Sequence, residues 1–61
     1  MNHVSTLVER GFVIEMFLVH PSTVAYKATY GIHSHKPVVF VEKDLSLLLD
    51  ECFLFLDGIQ E

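Results

Sequence analysis

The stretch FVIEMFLVHPSTVAYKATY, residues 12–30, decides the fold of this chain. It holds two runs typical of β-strands, Phe12–Val19 and Thr23–Tyr30, which are separated by His20-Pro21-Ser22. Proline cannot donate a backbone hydrogen bond to a sheet and favours turns, so these three residues predict a tight connection. Because parallel strands need a long crossover, so short a connection predicts an antiparallel hairpin.

The two predicted strands differ in where their apolar side chains point. Side chains alternate between the two faces of a strand. On the second strand, Tyr26 and Tyr30 lie on one face, and Lys27 and Thr29 lie on the other. This alternation is typical of a strand with one face in water. The first strand is apolar on both faces, with Glu15 as its single charged residue. We therefore expect the first strand to need cover on both sides.

Downstream of the hairpin, the sequence predicts one more strand and one helix. A polar loop over Gly31–Lys36 leads to a short β-branched strand, Pro37–Val41. A helix is predicted from about Leu45 to Asp57, because Asp44 is a good N-cap residue and Gly58 a good stop.

At 100° per residue, the predicted C-terminal helix has an apolar stripe and a narrow polar stripe. The apolar stripe contains Leu45, Leu48, Leu49, Cys52, Leu56 and Ile59, and the polar stripe contains Ser46, Asp50 and Asp57. Leu47 and Leu54 fall beside the polar stripe, where the sheet of the same chain does not reach them. They are therefore candidate contacts with another molecule.

The first ten residues allow two interpretations. Thr6 and Glu9 fit a capping box, and Gly11 fits a C-terminal stop, so we predict a short helix over 5–10. The β-branched residues Val4, Thr6 and Val8 keep a strand open as the alternative.

The fold class is therefore α+β: a small three-stranded antiparallel sheet with a C-terminal helix packed on one face. With 61 residues, the chain forms a single domain, 1–61.

The apolar content predicts that the domain associates. At this size, burial scarcely offsets chain entropy without a disulfide, a metal or a partner, and a single cysteine allows no internal disulfide. We expect a homodimer or a complex with another protein, with Phe17, Leu47 and Leu54 as contacts, so that Leu54→Asp breaks the dimer or unfolds the chain. The alternative is a monomer in which the N-terminal helix covers the second sheet face through Leu7 and Val8.

The charge balance argues against nucleic acid as a partner. Four basic residues stand against eight acidic ones, for a net charge of −4. The predicted order of elements resembles the double-stranded-RNA-binding domain, which would imply RNA contacts at a basic start of the second helix. Here that place holds Glu42-Lys43-Asp44, which repels phosphates. We therefore expect no nucleic-acid contact.

Two features of the sequence are candidates for a chemical role. His33 and His35 would point the same way in an extended segment and could bind a metal ion, although zinc needs three or four protein ligands. Cys52 lies in the apolar stripe, where it is expected to fill the core. Without glycine-rich phosphate loops or a nucleophile beside a base, we predict no enzyme and no cofactor. The unpaired cysteine and the short apolar runs indicate a cytoplasmic protein without a membrane span.

These observations predict a small non-enzymatic protein-interaction module of inhibitor, antitoxin or adaptor type. A metal- or small-ligand-binding domain that uses His33 and His35 is the alternative.

Overall fold

The structure, a computed structural model, describes residues 3–59. Its elements are α1 (His3–Glu9), β1 (Phe12–His20), β2 (Thr23–Tyr30), β3 (Val38–Glu42) and α2 (Leu45–Ile59). The three strands form one antiparallel sheet in the order β1-β2-β3. The predicted α+β fold is confirmed, and the short N-terminal segment is a helix rather than a strand.

The β1–β2 hairpin is the longest feature of the sheet. Its pairing runs from Phe12 opposite Tyr30 to His20 opposite Thr23. The register shifts between Leu18 and His20, which leaves Val19 as the extra residue of a bulge. β3 is much shorter: its pairing with β2 runs only from Tyr30 to Tyr26. The first three residues of β2, 23–25, therefore have β1 as their single neighbour.

Both helices pack on the same face of the sheet. The buried core cluster draws on α1, on the strands and on α2, and consists of Leu7, Phe12, Ala28, Leu48, Cys52 and Leu56. Leu7 of α1 contributes to this cluster and not to the opposite face, because α1 lies beside α2 as well as over β1. The second face therefore lacks the cover that the monomeric alternative required of α1.

An aromatic cluster fastens α2 to all three strands. The ring of Phe55 lies 6.1 Å from that of Phe12 on β1, 5.1 Å from Tyr30 on β2 and 5.9 Å from Phe40 on β3, centroid to centroid. These contacts have edge-to-face geometry, which aromatic pairs prefer. Because each ring lies at the same end of the sheet, the cluster fixes which end of the hairpin α2 covers.

The ends of α1 differ in part from the prediction. The helix begins at His3, so Thr6 lies inside it and cannot be the N-cap of a capping box. Gly11 does end the helix, as predicted. Its φ of +109° is a backbone conformation that residues with a Cβ rarely adopt. A Cβ there would also lie 3.4 Å from Cε1 of Tyr30.

The start of α2 confirms the prediction and its end corrects it. Asp44 caps the helix: the backbone N–H of Ser46 donates to Asp44 Oδ1 over 2.9 Å. Gly58 does not stop the helix, which runs on to Ile59. A glycine stop needs a positive φ, which Gly11 and Gly31 have and Gly58 does not. α2 has 15 residues, and no helix within residues 3–59 is long and apolar enough to cross a membrane.

Candidate interaction surface

The turn end of the β1–β2 hairpin extends beyond the helices; we call residues 16–24 the hairpin end. On the side of β1 that faces the helices, exposure rises from 1% at Phe12 to 69% at Met16 and 67% at Leu18. On the other side of the strand, Phe17 is 40% and Val19 45% exposed. Four consecutive apolar residues are thus exposed on two faces at once, which is uncommon for a monomer in water.

The lengths of the covering elements explain this exposure. β3 ends at Glu42, opposite Tyr26, and α2 begins three residues later at Leu45. From there α2 runs back over the sheet, because Phe55 in its last turns contacts Phe12. β3 therefore ends at the level of Tyr26, and only the link of Lys43 and Asp44 reaches the neighbourhood of Phe17 and Val19. Met16 and Leu18 remain exposed on the helix side.

The sheet face opposite the helices, which we call the open face, is also apolar. Its exposed members are Val13, Phe17, Val19, Val39 and Val41. Glu15 and Lys27 lie opposite each other near its centre, on β1 and β2. One charge of each sign therefore sits in the middle of the face. A second copy related by a two-fold axis and packed on this face would therefore meet both a positive and a negative charge, and not charges of one sign.

The open face contains a shallow trough of about 550 Å³. Its lining residues are Phe17, Val19, Ala25, Val41, Glu42, Lys43 and Asp44. Ala25 forms the floor because its side chain is small and almost fully buried, whereas its neighbours on the flanking strands are larger. The apolar trough is bordered by charged residues at the end of β3, an arrangement suited to an apolar anchor from another molecule.

The structure separates the three residues predicted as contacts. Phe17 lies on the open face, whereas Leu47 and Leu54 lie on α2, on the side turned away from the sheet. Leu54 is 71% exposed and Leu47 about half exposed, and both lie across the helix from the buried Leu48, Cys52 and Leu56. One two-fold contact cannot include both surfaces, because the sheet and α2 lie between them. The role of each in binding stays a prediction.

The loop with His33 and His35 does not have the extended geometry that the metal hypothesis assumed. The backbone N–H of Ser34 donates to the carbonyl of Gly31 over 2.8 Å, and the N–H of Lys36 donates to Ser34 Oγ over 3.1 Å. These bonds form consecutive turns, and both histidines are exposed. Within residues 3–59, no three His, Cys, Asp or Glu side chains come together as metal ligands would.

Cys52 lies fully buried between α2 and the sheet. Burial raises the pKa of its thiol to about 11, and the charge of Glu51 adds to the effect. A thiolate is the reactive form of cysteine, so the arrangement disfavours nucleophilic chemistry at Cys52.

Glu42 and Glu51 form a carboxyl pair that the sequence analysis missed. Loss of hydration raises the pKa of Glu51 above its ordinary 4.5; the charge of Glu42, and a hydrogen bond with its carboxyl group, raise it further. Glu51 Oε1 is shielded from water without a hydrogen-bond partner. One feature of the sequence could have indicated this pair. The link between β3 and α2 is short, so the second turn of α2, which contains Glu51, lies near Glu42 at the end of β3.

The chain was compared with known proteins at three levels. No protein-family model, no curated protein and no solved structure matches it.

Proposed function

We propose that this protein is a small, non-enzymatic protein-interaction module that works as a homodimer in the cytoplasm. The observation that carries the proposal is the exposure of Met16, Phe17, Leu18 and Val19 on both faces of β1. Burial of these side chains would supply the stability that so small a core lacks. The single reduced cysteine supports the compartment.

The size of the exposed surface suits a second copy of the chain. At roughly 200 Å² for a large side chain, the exposed parts of Met16–Val19 amount to about 400 Å². A typical stable interface buries about 800 Å² on each partner. The four residues thus supply about half of a dimer interface, and Val13, Val24 and Val41 extend the apolar surface on either face of the sheet.

The mass in solution tests this proposal. We expect light scattering after size exclusion to give twice the 7.0 kDa chain mass, falling towards one chain on dilution. Leu18→Asp should weaken dimerisation about 100-fold or more, because it buries an unpaired charge at the contact. A wild-type mass of one chain at every concentration contradicts the proposal.

Leu54→Asp is the matched control. It introduces the same charge at a leucine as exposed as Leu18, but on the outer side of α2. The sequence alone predicted that this variant breaks the dimer or unfolds the chain. Because Leu54 lies on the outer side of α2 and away from β1, we instead propose that the variant keeps both its fold and its dimer. If Leu54→Asp breaks the dimer while Leu18→Asp keeps it, the contact lies on the Leu47–Leu54 side, and the assignment to β1 is wrong.

A further inference from the structure

β1 is an edge strand with an unusually open edge. The sheet order is β1-β2-β3, so within residues 3–59 no strand pairs with the outer side of β1. β1 has nine residues and contains no proline, whereas the other edge strand, β3, has five residues and follows Pro37. Proteins commonly protect long edges with charges, prolines or short strands, because free backbone groups recruit another strand. On β1, Glu15 and the bulge at the turn end are the only such devices.

We propose that β1 pairs antiparallel with β1 of a second copy, so that two sheets join into one of six strands. This inference rests on the proposed homodimer and names its contact. A two-fold axis perpendicular to the sheet relates the two copies, which keeps the helices of both on the same face. Such isologous contacts are the commonest form of dimer.

The charge pattern of β1 selects the register. With the axis at Met16, Ile14–Leu18 of one copy lies opposite the same five residues of the other, up to the bulge at Val19. Glu15 then faces Phe17 of the second copy. An axis at Glu15 would place two glutamates directly opposite each other, which is destabilising. The Met16 register therefore separates the like charges and keeps the paired segment clear of the bulge at Val19.

In the same register, α1 of the second copy covers the helix side of the hairpin end. α1 packs over β1, and Leu7 of α1 shares the core cluster with Phe12 at the start of that strand. In the antiparallel pair, this end of the second copy lies beside Leu18 and His20. The α1 helix of the second copy then lies over Met16 and Leu18, the residues most exposed on the helix side of β1. Val8, half exposed on α1, is an apolar side chain available for that contact.

Cysteine cross-linking tests the register. In Met16→Cys, the two new cysteines lie directly opposite each other at a Cα separation of about 4.5–5.5 Å, which a disulfide can bridge. Under mild oxidation, we expect a covalent dimer on a non-reducing gel. Its formation should be about 100-fold faster than in Val39→Cys, because the paired thiols meet at an effective concentration in the millimolar range. Val39 is also exposed on an edge strand, so Val39→Cys is the matched control.

The outcomes separate this inference from the proposed function. The masses of both variants under reducing conditions show whether a dimer exists, and wild type reports any cross-link through Cys52. A dimeric mass with rapid cross-linking of Met16→Cys alone supports β1 pairing. A dimeric mass with cross-linking of Val39→Cys, or of neither variant, overturns β1 pairing and leaves the homodimer intact. A mass of one chain in both variants and in wild type overturns both.

Discussion

The two ends of the β1–β2 hairpin have similar compositions and opposite environments. At the first end, Phe12 and Tyr30 pack against Phe55 beneath the helices. At the turn end, Met16 and Leu18 continue the same face of the same strand and lie largely in water. The apolar character of β1 does not change between them. What changes is the cover: β3 ends at the level of Tyr26, and the aromatic contacts of α2 lie at the other end of the strand.

In the proposed dimer, this difference gives the two ends of one strand different roles. The covered end of β1 holds the chain together, and the hairpin end remains available for another molecule. The distinction can be tested, because substitutions at the two ends should respond differently to protein concentration.

The largest contrast is expected between Phe12→Ala and Leu18→Ala. Loss of the Phe12 ring should lower the free energy of unfolding by about 3–5 kcal/mol at any protein concentration, because it leaves a cavity in the core. Leu18→Ala should cost little in dilute solution and more as concentration rises, since only the dimer buries Leu18. Urea unfolding over a concentration series measures both. Equal, concentration-independent losses would contradict the division of β1 into two ends.

A smaller effect on stability is expected at Asp44, where α2 begins. Asp44→Ala removes the N-cap of α2 and should lower the free energy of unfolding by about 1 kcal/mol. Asp50→Ala, at an exposed position in the middle of the same helix, is the control and should change it far less. Because the proposed contact runs along the edge of β1 and Asp44 does not lie on that strand, the dimer dissociation constant should be the same in both variants when measured on the folded protein. Equal stability losses for the two would show that the cap is not significant.

The smallest effect concerns Glu42 and Glu51, at the border between the two ends. Because folding raises the pKa of Glu51 above its ordinary 4.5, the folded chain binds this proton more tightly than the unfolded chain does. The contribution of Glu51 to stability is therefore lost as pH rises from 4.5 through the raised pKa. Glu51→Gln should raise the urea midpoint at neutral pH and lose that advantage near pH 4.5. Asp57→Asn, which removes an exposed charge from the same helix, is the control; an equal gain there would assign the effect to net charge alone.

Much of the fold follows from local patterns. The strand Thr23–Tyr30, the Pro21 turn and the Asp44 cap each depend on nearby residues, and each is confirmed. The face of that strand expected to lie in water is an error, because Ala25 and Thr29 are buried between the two flanking strands. The errors at the helix ends have local causes. Thr6 and Gly58 both fit helix-end patterns, but packing of α1 on the sheet starts that helix earlier, and the backbone of Gly58 keeps a helical conformation.

The arrangement of the candidate surface was less accessible to sequence reasoning. Periodicity indicated that Phe17 and Leu54 would be exposed, but not that they lie on opposite sides of the molecule. That result depends on which sheet face the two helices share, and no local pattern in the sequence selects that face. The proximity of Glu42 and Glu51 likewise depends on the angle at which α2 returns over the sheet.

Burial of Cys52 makes the reactivity of its thiol depend on the position of α2. Its sulfur is closed off by α2 and holds its proton at neutral pH, so alkylating agents and oxidants find no reactive thiolate while the helix is seated. Each departure of α2 from the sheet briefly exposes the sulfur. The rate at which a thiol reagent labels Cys52 in the folded protein would therefore measure how often α2 opens.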